Sequence, residues 1–350
     1  MLTVRLRYLA RRLSWLLLLV TAGSHASSWL SSQPFHTLML SQTERPFPGD
    51  VLISPEGATE LVFASSDNAG QQFVIGSLSK QITAALLLRL VEQGRVNLTD
   101  RPEQYLPDLP EQWQGRITLG QMLNHTSGII ALNRPLAEQP GQFRYSNLGY
   151  DLLGQIIEKV GQRPYAEQAK ALFYLCDMRH SFAPSQRHPV SAAARLAPGE
   201  RERQDGKRVA VERPLPQASV PSGGIVSSTS DLAAWNRCLY QSDKVLADTG
   251  SMLNPTSQRP HRWGKLGYAS GLQVAETDAG IEYSHSGYVP GYISTMTYYP
   301  EHKVTLVILE NVSWYPGDMP RVFGIHDRIR NELIRQLASK PISKDFHGQP

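Results

Sequence analysis

Cysteine is scarce in this sequence, which contains only Cys176 and Cys238 among its 350 residues. Two cysteines are too few for a structural zinc site, and the chain also lacks the HExxH and CxxC motifs of metal and redox centres. We therefore expect no metal and no other cofactor. The two cysteines can form a disulfide in an oxidising compartment, but two buried free thiols fit the sequence equally well, because it gives no distance between them.

Net charge is also low over most of the chain. Four of the 35 Lys and Arg residues, and none of the 31 acidic ones, lie in residues 1–26. The rest of the sequence therefore carries 31 basic and 31 acidic side chains, so its formal charge is zero rather than +4. This balance gives no support for a nucleic acid or a membrane surface as a partner.

The sequence has no apolar run long enough to span a membrane, which takes about 20 residues. The run over residues 13–20 is short, follows four arginines, and leads to Ser24-His25-Ala26, a small-x-small cleavage site. Residues 1–26 are therefore predicted to be a secretory signal peptide, with an uncleaved anchor as the alternative. We expect a periplasmic or secreted protein with no stable membrane span after cleavage.

The remaining pattern is that of a mixed α/β (α+β) protein, with strands near both ends and helices between them. Period-two patterns predict strands at 51–53, 60–64, 271–274, 281–283, 292–298 and 304–309. Apolar spacing and capping residues predict helices at 77–93, 118–128, 148–160, from Pro164, at 228–240 and at 321–338. A polar stretch over 184–224, with a hairpin turn at Asp205-Gly206, is predicted to cross the surface.

One helix start carries a candidate nucleophile. Ser77 and Lys80 are three residues apart at the beginning of an apolar helix, so they share one helix face with Cβ atoms about 5–6 Å apart. A hydroxyl beside an amine is the minimum for an activated serine, provided that the amine is neutral, which burial or a nearby cation favours. Taken alone, the pair is better explained as a helix cap with a solvated lysine.

Two further short motifs change that interpretation. Tyr145-Ser146-Asn147 precedes a predicted helix, and His285-Ser286-Gly287 ends a predicted strand. Each motif alone is weak, but the three together, on a helix start, a loop and a strand, are a strong signal. With them the sequence resembles the serine β-lactamases and D,D-peptidases, the penicillin-recognising hydrolases. It is most similar to the branch of class C β-lactamases, soluble D,D-carboxypeptidases and family VIII esterases. The matching stretches are 73–100, 123–129, 143–160, 222–235 and 283–292.

The resemblance implies a β-lactamase/transpeptidase-like fold, in which an antiparallel sheet of five or more strands is flanked by helices. Residues 27–75 plus 260–350 would form the α/β subdomain and residues 76–259 a mainly helical one, with the active site at their junction. Ser77 would be the nucleophile, and Lys80 and Tyr145 would move its proton. Which of the two is the acylation base stays open.

The resemblance also assigns the substrate side of the site. Asn147 would bind the acyl amide, and the backbone N–H groups of Ser77 and Tyr288 would hold the oxyanion. His285, Ser286 and Gly287 would lie along the substrate. Most class C β-lactamases have a lysine in place of His285, which binds the substrate carboxylate. Because histidine is mostly neutral at pH 7, we expect weaker carboxylate recognition that improves on mild acidification, and a role other than dedicated antibiotic resistance.

Three hypotheses follow for the activity. The first is an exported serine hydrolase that forms an acyl-enzyme on Ser77 with a small-molecule or peptidoglycan-derived substrate: D-Ala-D-Ala-type peptides, β-lactams or small esters. The second is a penicillin sensor or cell-wall-binding homologue that acylates without turnover. The third is a structural pseudoenzyme, against which the intact motifs argue. Two residues have simpler explanations as well: Asn147 can cap the helix at Leu148, and His125 can make a structural hydrogen bond beside a turn.

Overall fold

The computed structural model describes residues 15–16, 30–40, 45–56, 60–65, 70–212 and 215–339. The predicted signal peptide, residues 1–26, lies outside these ranges except for Trp15–Leu16. None of the helices within them is both long enough and apolar enough to cross a membrane.

Runs of strands and runs of helices follow one another along the described ranges. The helices are α1 Gln33–Leu40, α2 Ser79–Glu92, α3 Leu119–Leu123, α4 Asn147–Gly161, α5 Tyr165–Leu175, α6 Thr229–Tyr240, α7 Gly250–Leu253 and α8 Met319–Ala338. The strands are β1 Trp15–Leu16, β2 Gly49–Pro55, β3 Leu61–Ser65, β4 Phe73–Val74, β5 Glu200–Glu202, β6 Arg208–Ala210, β7 Val226–Ser227, β8 Ser257–His261, β9 Gly264–Tyr268, β10 Gln273–Thr277, β11 Gly280–Val289, β12 Tyr292–Tyr299, β13 Val304–Glu310 and β14 Val312–Ser313.

One large sheet organises the molecule. Nine of the described strands form it in the order β1-β3-β2-β13-β12-β11-β10-β9-β8, and every neighbouring pair is antiparallel. The strand that carries the third motif, β11, is therefore interior, and its register pairs His285 with Met296 of β12. The predicted fold class, an antiparallel sheet with flanking helices, is confirmed.

Apolar side chains cover both faces of this sheet. On one face α1 and α8 bury Phe35, Ile325 and Ile329 against β2, β3 and β13. On the other face a larger cluster joins α2, α4, α5 and α6 to β12 and β13. Helix α2 lies in the middle of this second cluster, since 11 of its 14 residues are buried. A helix that is buried on all sides holds its first turn, and hence Lys80, in a fixed place.

Some predicted elements differ from the observed ones. The helix predicted over 118–128 is the shorter α3, because His125 takes a left-handed φ of +57° that a helix cannot continue. Strands β8 and β9 were not predicted, since proline, glycine and charged side chains replace the apolar alternation there. Such residues are typical of strands at the edge of a sheet, which is where β8 lies.

The structure shows how the two cysteines pair and where the predicted hairpin turn lies. Cys176, which ends α5, and Cys238 of α6 form a disulfide with their Cα atoms 5.4 Å apart. The turn at Asp205-Gly206 joins β5 and β6, as predicted. The division into 27–75 plus 260–350 and 76–259 stays a prediction, and three short strands, β5 to β7, lie inside its helical segment.

Candidate active site

Ser77 lies between strand β4 and helix α2, in the 3₁₀ turn Gly76–Leu78. Gly76 has a φ of +56°, a left-handed conformation that glycine adopts without strain. A Cβ added to Gly76 would lie 2.9 Å from the Cα of Gly287 and 3.1 Å from the backbone N of Tyr288. The absence of a side chain at Gly76 therefore lets the end of β11 approach the Ser77 turn directly.

Lys80 is fully buried one turn further along α2. Its Nζ lies 3.1 Å from the Ser77 Oγ, 2.8 Å from the Asn147 Oδ1 and 2.7 Å from the carbonyl oxygen of Ser222. No described carboxylate forms an ion pair with it. The carboxyl group of Asp151 accepts a hydrogen bond from the backbone N–H of Ser222 at 3.2 Å. Burial raises the pKa of this carboxyl.

These contacts limit where the lone pair of a neutral Lys80 can point. An amide oxygen and a backbone carbonyl can only accept, so both require an N–H from Lys80. The hydroxyl of Ser77 is the remaining partner, and a hydroxyl can donate as well as accept. A neutral Lys80 that keeps its bonds to Asn147 and Ser222 therefore directs its lone pair at the Ser77 proton.

Tyr145 contacts the same oxygen from the other side. Its hydroxyl donates to the Ser77 Oγ at 2.8 Å, and the Lys80 Nζ lies 4.9 Å from the centre of its ring. The structure thus brings the three predicted catalytic residues together, with Lys80 and Tyr145 both within hydrogen-bonding distance of the Ser77 oxygen. Both candidate bases contact the Ser77 hydroxyl, so the geometry is compatible with either Lys80 or Tyr145 as the acylation base.

Asn147 has a different local role from the one predicted. The N-cap of α4 is Ser146, whose Oγ accepts from the backbone N–H of Gly149 at 2.9 Å. Asn147 is the first residue of the helix and uses its Oδ1 for Lys80. The interpretation of Asn147 as a helix cap was therefore wrong. Its carboxamide belongs to the Ser77 cluster, and its NH₂ group is the part that can serve a ligand.

His285 lies in a setting that does not fit the prediction made for it. The ring is 1% exposed, with Nε2 3.0 Å from the Tyr268 hydroxyl and Nδ1 2.7 Å from the carbonyl oxygen of Ser286. Burial, followed by the charges of Lys80 and Arg259, lowers its pKa well below 6.5. We therefore correct the expectation that mild acidification would turn His285 into a cation for a substrate carboxylate.

The three residues after His285 border the cleft beside Ser77. The hydroxyl of Ser286 accepts from the Arg262 Nη2 at 3.1 Å. Gly287 forms the close contact with Gly76 described above. The Tyr288 hydroxyl donates to the carbonyl oxygen of Trp314 at 2.6 Å, and the backbone N of Tyr288 lies beside Gly76.

Positive charge in the cleft comes from the unpredicted β8–β9 hairpin. The cavity beside Ser77 has a volume of about 410 Å³, and no described carboxylate lines it. Arg262 is paired with Asp327 at 2.8 Å. The Arg259 guanidinium lies 5.4 Å from the centre of the Tyr145 ring, and none of the described acidic residues forms an ion pair with it. Arg259 is therefore an uncompensated cation at the mouth of the site.

Sequence reasoning missed three contributions to this site: the carbonyl of Ser222, the guanidinium of Arg259 and the hydroxyl of Tyr268. A backbone carbonyl leaves no trace in residue type, and the other two lie on strands whose pattern is hidden by glycine and proline. Regarding metals, the described ranges contain no group of three or more His, Cys, Asp or Glu side chains arranged to hold an ion.

Comparison with known proteins identifies sequence relatives. A family model described as Beta-lactamase matches residues 41–321. Penicillin-binding protein 4* of Bacillus subtilis (strain 168) is 28% identical over 301 residues, which are 75% of this chain and 66% of that protein. Protein flp of Staphylococcus aureus (strain MW2) is 26% identical over 281 residues, 69% of this chain and 53% of that protein. The chain thus spans between half and two thirds of the length of these relatives.

Solved structures share the fold. An octameric penicillin-binding protein homologue from Pyrococcus abyssi has a TM-score of 0.73 at 25% identity, over 86% of this chain and 78% of that one. A D-amino acid amidase from Ochrobactrum anthropi SV3 has a TM-score of 0.72 at 19% identity, over 86% and 96%. A D-stereospecific amidohydrolase from Streptomyces sp. has a TM-score of 0.71 at 22% identity, over 84% and 98%.

Proposed function

This chain belongs to the beta-lactamase family of serine hydrolases, and on that premise we propose that it cleaves an amide, lactam or ester by forming an acyl-enzyme on Ser77. One observation carries the proposal: the Ser77 Oγ lies within hydrogen-bonding distance of both the Lys80 Nζ and the Tyr145 hydroxyl. A serine hydroxyl is a weak nucleophile, and an adjacent base is what activates it.

The reaction proceeds in two steps, acylation of Ser77 and hydrolysis of the acyl-enzyme. The Ser77 Oγ attacks the substrate carbonyl while its proton passes to Lys80, directly or through Tyr145. The same proton is then delivered to the leaving nitrogen or oxygen as its bond to the carbonyl carbon breaks. Water attacks the resulting ester in the second step, gives up a proton to the Lys80–Tyr145 pair and releases Ser77 with its hydrogen restored.

The close contact of Gly76 with Gly287 supports an oxyanion site. It places the backbone N of Tyr288 near the Ser77 turn, where that N–H and the N–H of Ser77 can face a developing negative charge. Removing one such donor typically costs about 3–4 kcal/mol of transition-state stabilisation. The N-terminal end of α2 contributes a favourable dipole at the same place.

We infer that the substrate carries a carboxylate and that Arg259 receives it, in place of His285. Arg259 borders the cleft without a described acidic partner, whereas the ring nitrogens of His285 are both occupied. D-Ala-D-Ala-type peptides and β-lactams have such a carboxylate. The D-amino acid amidase and D-stereospecific amidohydrolase with this fold make D-configured amides a further class to test. Small esters remain in the panel because an ester is easier to cleave than an amide.

A penicillin sensor that acylates without turnover is the second candidate. The relative named Penicillin-binding protein 4* favours it, since that name describes binding. Mass spectrometry of the adduct over time separates the two: an adduct that clears within turnover time supports the hydrolase, and one that persists for hours supports the sensor.

We also propose export to the periplasm or the medium, through the predicted signal peptide at residues 1–26. The disulfide between Cys176 and Cys238 supports this location, because disulfides persist in oxidising compartments. N-terminal sequencing of the protein recovered outside the cytoplasm tests the proposal. A start after residue 26 is the expected result, and an intact N-terminus retained in the cytoplasm contradicts it.

Labelling with a fluorescent penicillin and with a fluorophosphonate tests the nucleophile. The wild type should be labelled and Ser77→Ala should not. Ser79→Ala is the matched control, because Ser79 is on the same turn but its hydroxyl accepts from the backbone N–H of Ile225 inside the core. Equal labelling of Ser77→Ala and wild type would refute the proposal. Substrate class is then read from p-nitrophenyl esters, a D-Ala-D-Ala peptide, a D-amino acid amide and a chromogenic cephalosporin.

A further inference from the structure

A buried chain of hydrogen bonds links two of the motif segments behind the Ser77 site. The backbone N–H of Ser146 donates to the His125 Nδ1 at 3.1 Å, and the His125 Nε2 lies 3.1 Å from the Tyr268 hydroxyl. That hydroxyl lies 3.0 Å from the His285 Nε2, and the His285 Nδ1 lies 2.7 Å from the carbonyl oxygen of Ser286. The chain thus runs from the Tyr145–Asn147 segment to the end of β11.

The two ends of this chain determine the position of every proton in it. A backbone N–H can only donate, so the His125 Nδ1 must be the unprotonated nitrogen and its Nε2 must carry the hydrogen. A backbone carbonyl can only accept, so the His285 Nδ1 must carry the hydrogen and its Nε2 must have the lone pair. The two neutral histidines are therefore opposite tautomers.

Tyr268 is the group between these tautomers. It must accept a hydrogen bond from His125 and donate one to His285, and a hydroxyl does both at once. Phenylalanine of the same shape would leave one buried donor and one buried acceptor without partners. Tyr268 itself is fully buried, and its ring packs 4.7 Å from the His125 ring, so its position is fixed.

We propose that Tyr268 is a positioning residue, which sets the separation between the Tyr145–Asn147 segment and the Ser286–Tyr288 end of β11 across Ser77. The proposal rests on the proposed acyl transfer at Ser77. Tyr145 packs against this hydrogen-bonded chain, since its ring lies 4.2 Å from the ring of His125. A shift in this separation moves the Tyr145 hydroxyl relative to the backbone N of Tyr288, and misplacement of about 1 Å can cost a hundredfold in rate.

The charges around the chain keep both histidines neutral. Burial lowers the pKa of His125 and of His285 well below 6.5, and the positive charges of Lys80 and Arg259 lower both further. The titratable groups that face the two rings from α2, from α4 and the segment before it, and from β8 are Lys80, Tyr145, Tyr150, Arg259 and His261. None of these described groups is an acid that would stabilise an imidazolium.

The tautomers can be measured on the wild-type protein by ¹⁵N NMR of the imidazole nitrogens, with assignments from His125→Gln and His285→Gln. The expected spectrum has hydrogen on Nε2 of His125 and on Nδ1 of His285, and neither ring titrates between about pH 5 and 8. The same tautomer in both rings, or titration of either ring in that range, would overturn the proposal. This measurement does not depend on turnover, so a protein with opposite tautomers and no hydrolysis refutes the proposed function instead.

The positioning role is tested with the single variant Tyr268→Phe, once circular dichroism shows that it is folded. We expect kcat/KM to fall by about 10- to 100-fold, mostly in kcat. The acid limb of the pH profile should also move to higher pH, because the His285 Nε2 loses the bond that favours its neutral form. Tyr283→Phe is the matched control, since the Tyr283 ring stacks on Tyr240 outside the chain. Unchanged kcat and an unchanged acid limb in a folded Tyr268→Phe would refute the role.

Discussion

Two buried basic side chains, on opposite faces of the large sheet, have opposite kinds of hydrogen-bond partner. Arg45 forms a bidentate ion pair with Glu310, at 2.7 and 2.8 Å, and also donates to the carbonyl oxygens of Arg321 and Val322. His326 binds the same carboxylate at 2.8 Å. Lys80 has neutral oxygens as its hydrogen-bond partners and forms no ion pair with any described carboxylate.

The difference separates a structural charge from a reactive one. Burial alone would raise the pKa of Glu310, but Arg45 and the His326 hydrogen bond outweigh burial and lower it, so the pair stays ionised and saturated. Lys80 forms no comparable ion pair with any described carboxylate. A buried ion pair is costly to break because the remaining charge stays buried without its partner, whereas removal of the Lys80 amine leaves only neutral acceptors behind.

The largest effect should come from removing the Lys80 amine. Lys80→Met should lower kcat/KM by about 10⁴-fold or more, because one of the two groups that move the Ser77 proton is lost. The melting temperature should fall less than in a variant that breaks the Arg45–Glu310 pair, because the groups left without a donor, on Asn147 and Ser222, are neutral acceptors rather than a buried charge. Kinetics and thermal unfolding of the same sample check both halves. If Lys80→Met kept its activity but had a much lower melting temperature, Lys80 would have a structural role like that of Arg45.

The next effect should come from breaking the saturated pair. Glu310→Gln leaves Arg45 buried without a counter-charge and should lower the free energy of unfolding by about 3–5 kcal/mol, while kcat per folded molecule stays near wild type. Urea denaturation measures the loss. Glu332→Gln is the matched control on the same face of the molecule, because the Arg335 side chain of its ion pair is 65% exposed. That control should cost less than about 1 kcal/mol.

A smaller effect should appear at the uncompensated arginine of the cleft. Arg259→Gln should lower kcat/KM about 10- to 100-fold for substrates with a carboxylate, the worth of one charge-assisted hydrogen bond. Uncharged esters should react as before. Lys265→Gln changes the same hairpin at an exposed position and serves as the control. Equal losses on charged and uncharged substrates would mean that Arg259 supports the hairpin rather than the substrate.

The smallest effect is on the pH dependence of stability. Burial lowers the pKa values of His125, His285 and His326, so each takes up a proton more readily in the unfolded chain. Stability should therefore be complete above the ordinary histidine value of about 6.5 and fall as the pH drops below it. His326→Gln should reduce that slope by about 1.4 kcal/mol per pH unit, one proton, in urea titrations. An unchanged slope would show that His326 is already protonated beside Glu310.

Much of the fold could be predicted from the sequence because its local signals agree with the final packing. The apolar positions of α2, the N-cap Ser228 of α6 and the apolar residues of β12 and β13 correctly indicate buried or capped elements. Strand β8 gave no such signal because it lies at the sheet edge, and β9 beside it has buried side chains only at Leu266 and Tyr268.

The candidate site was only partly predictable for a related reason. Motifs identify residue types, and the cluster of Ser77, Lys80 and Tyr145 has the spacing that those motifs imply. The environment of His285 depends on Tyr268, which reaches it from another strand, and sequence does not show that both ring nitrogens are already occupied. The same limit applies to Ser222, whose contribution is a carbonyl oxygen common to every residue.

The disulfide has a consequence for how the molecule opens. Cys176 and Cys238 are 62 positions apart, and the covalent loop between them contains the carbonyl of Ser222 that holds Lys80. When the segment between α5 and α6 detaches locally, the disulfide keeps its two ends together. The carbonyl of Ser222 then has fewer conformations to search before it binds Lys80 again. Reduction of the disulfide should therefore first slow the recovery of turnover after heating.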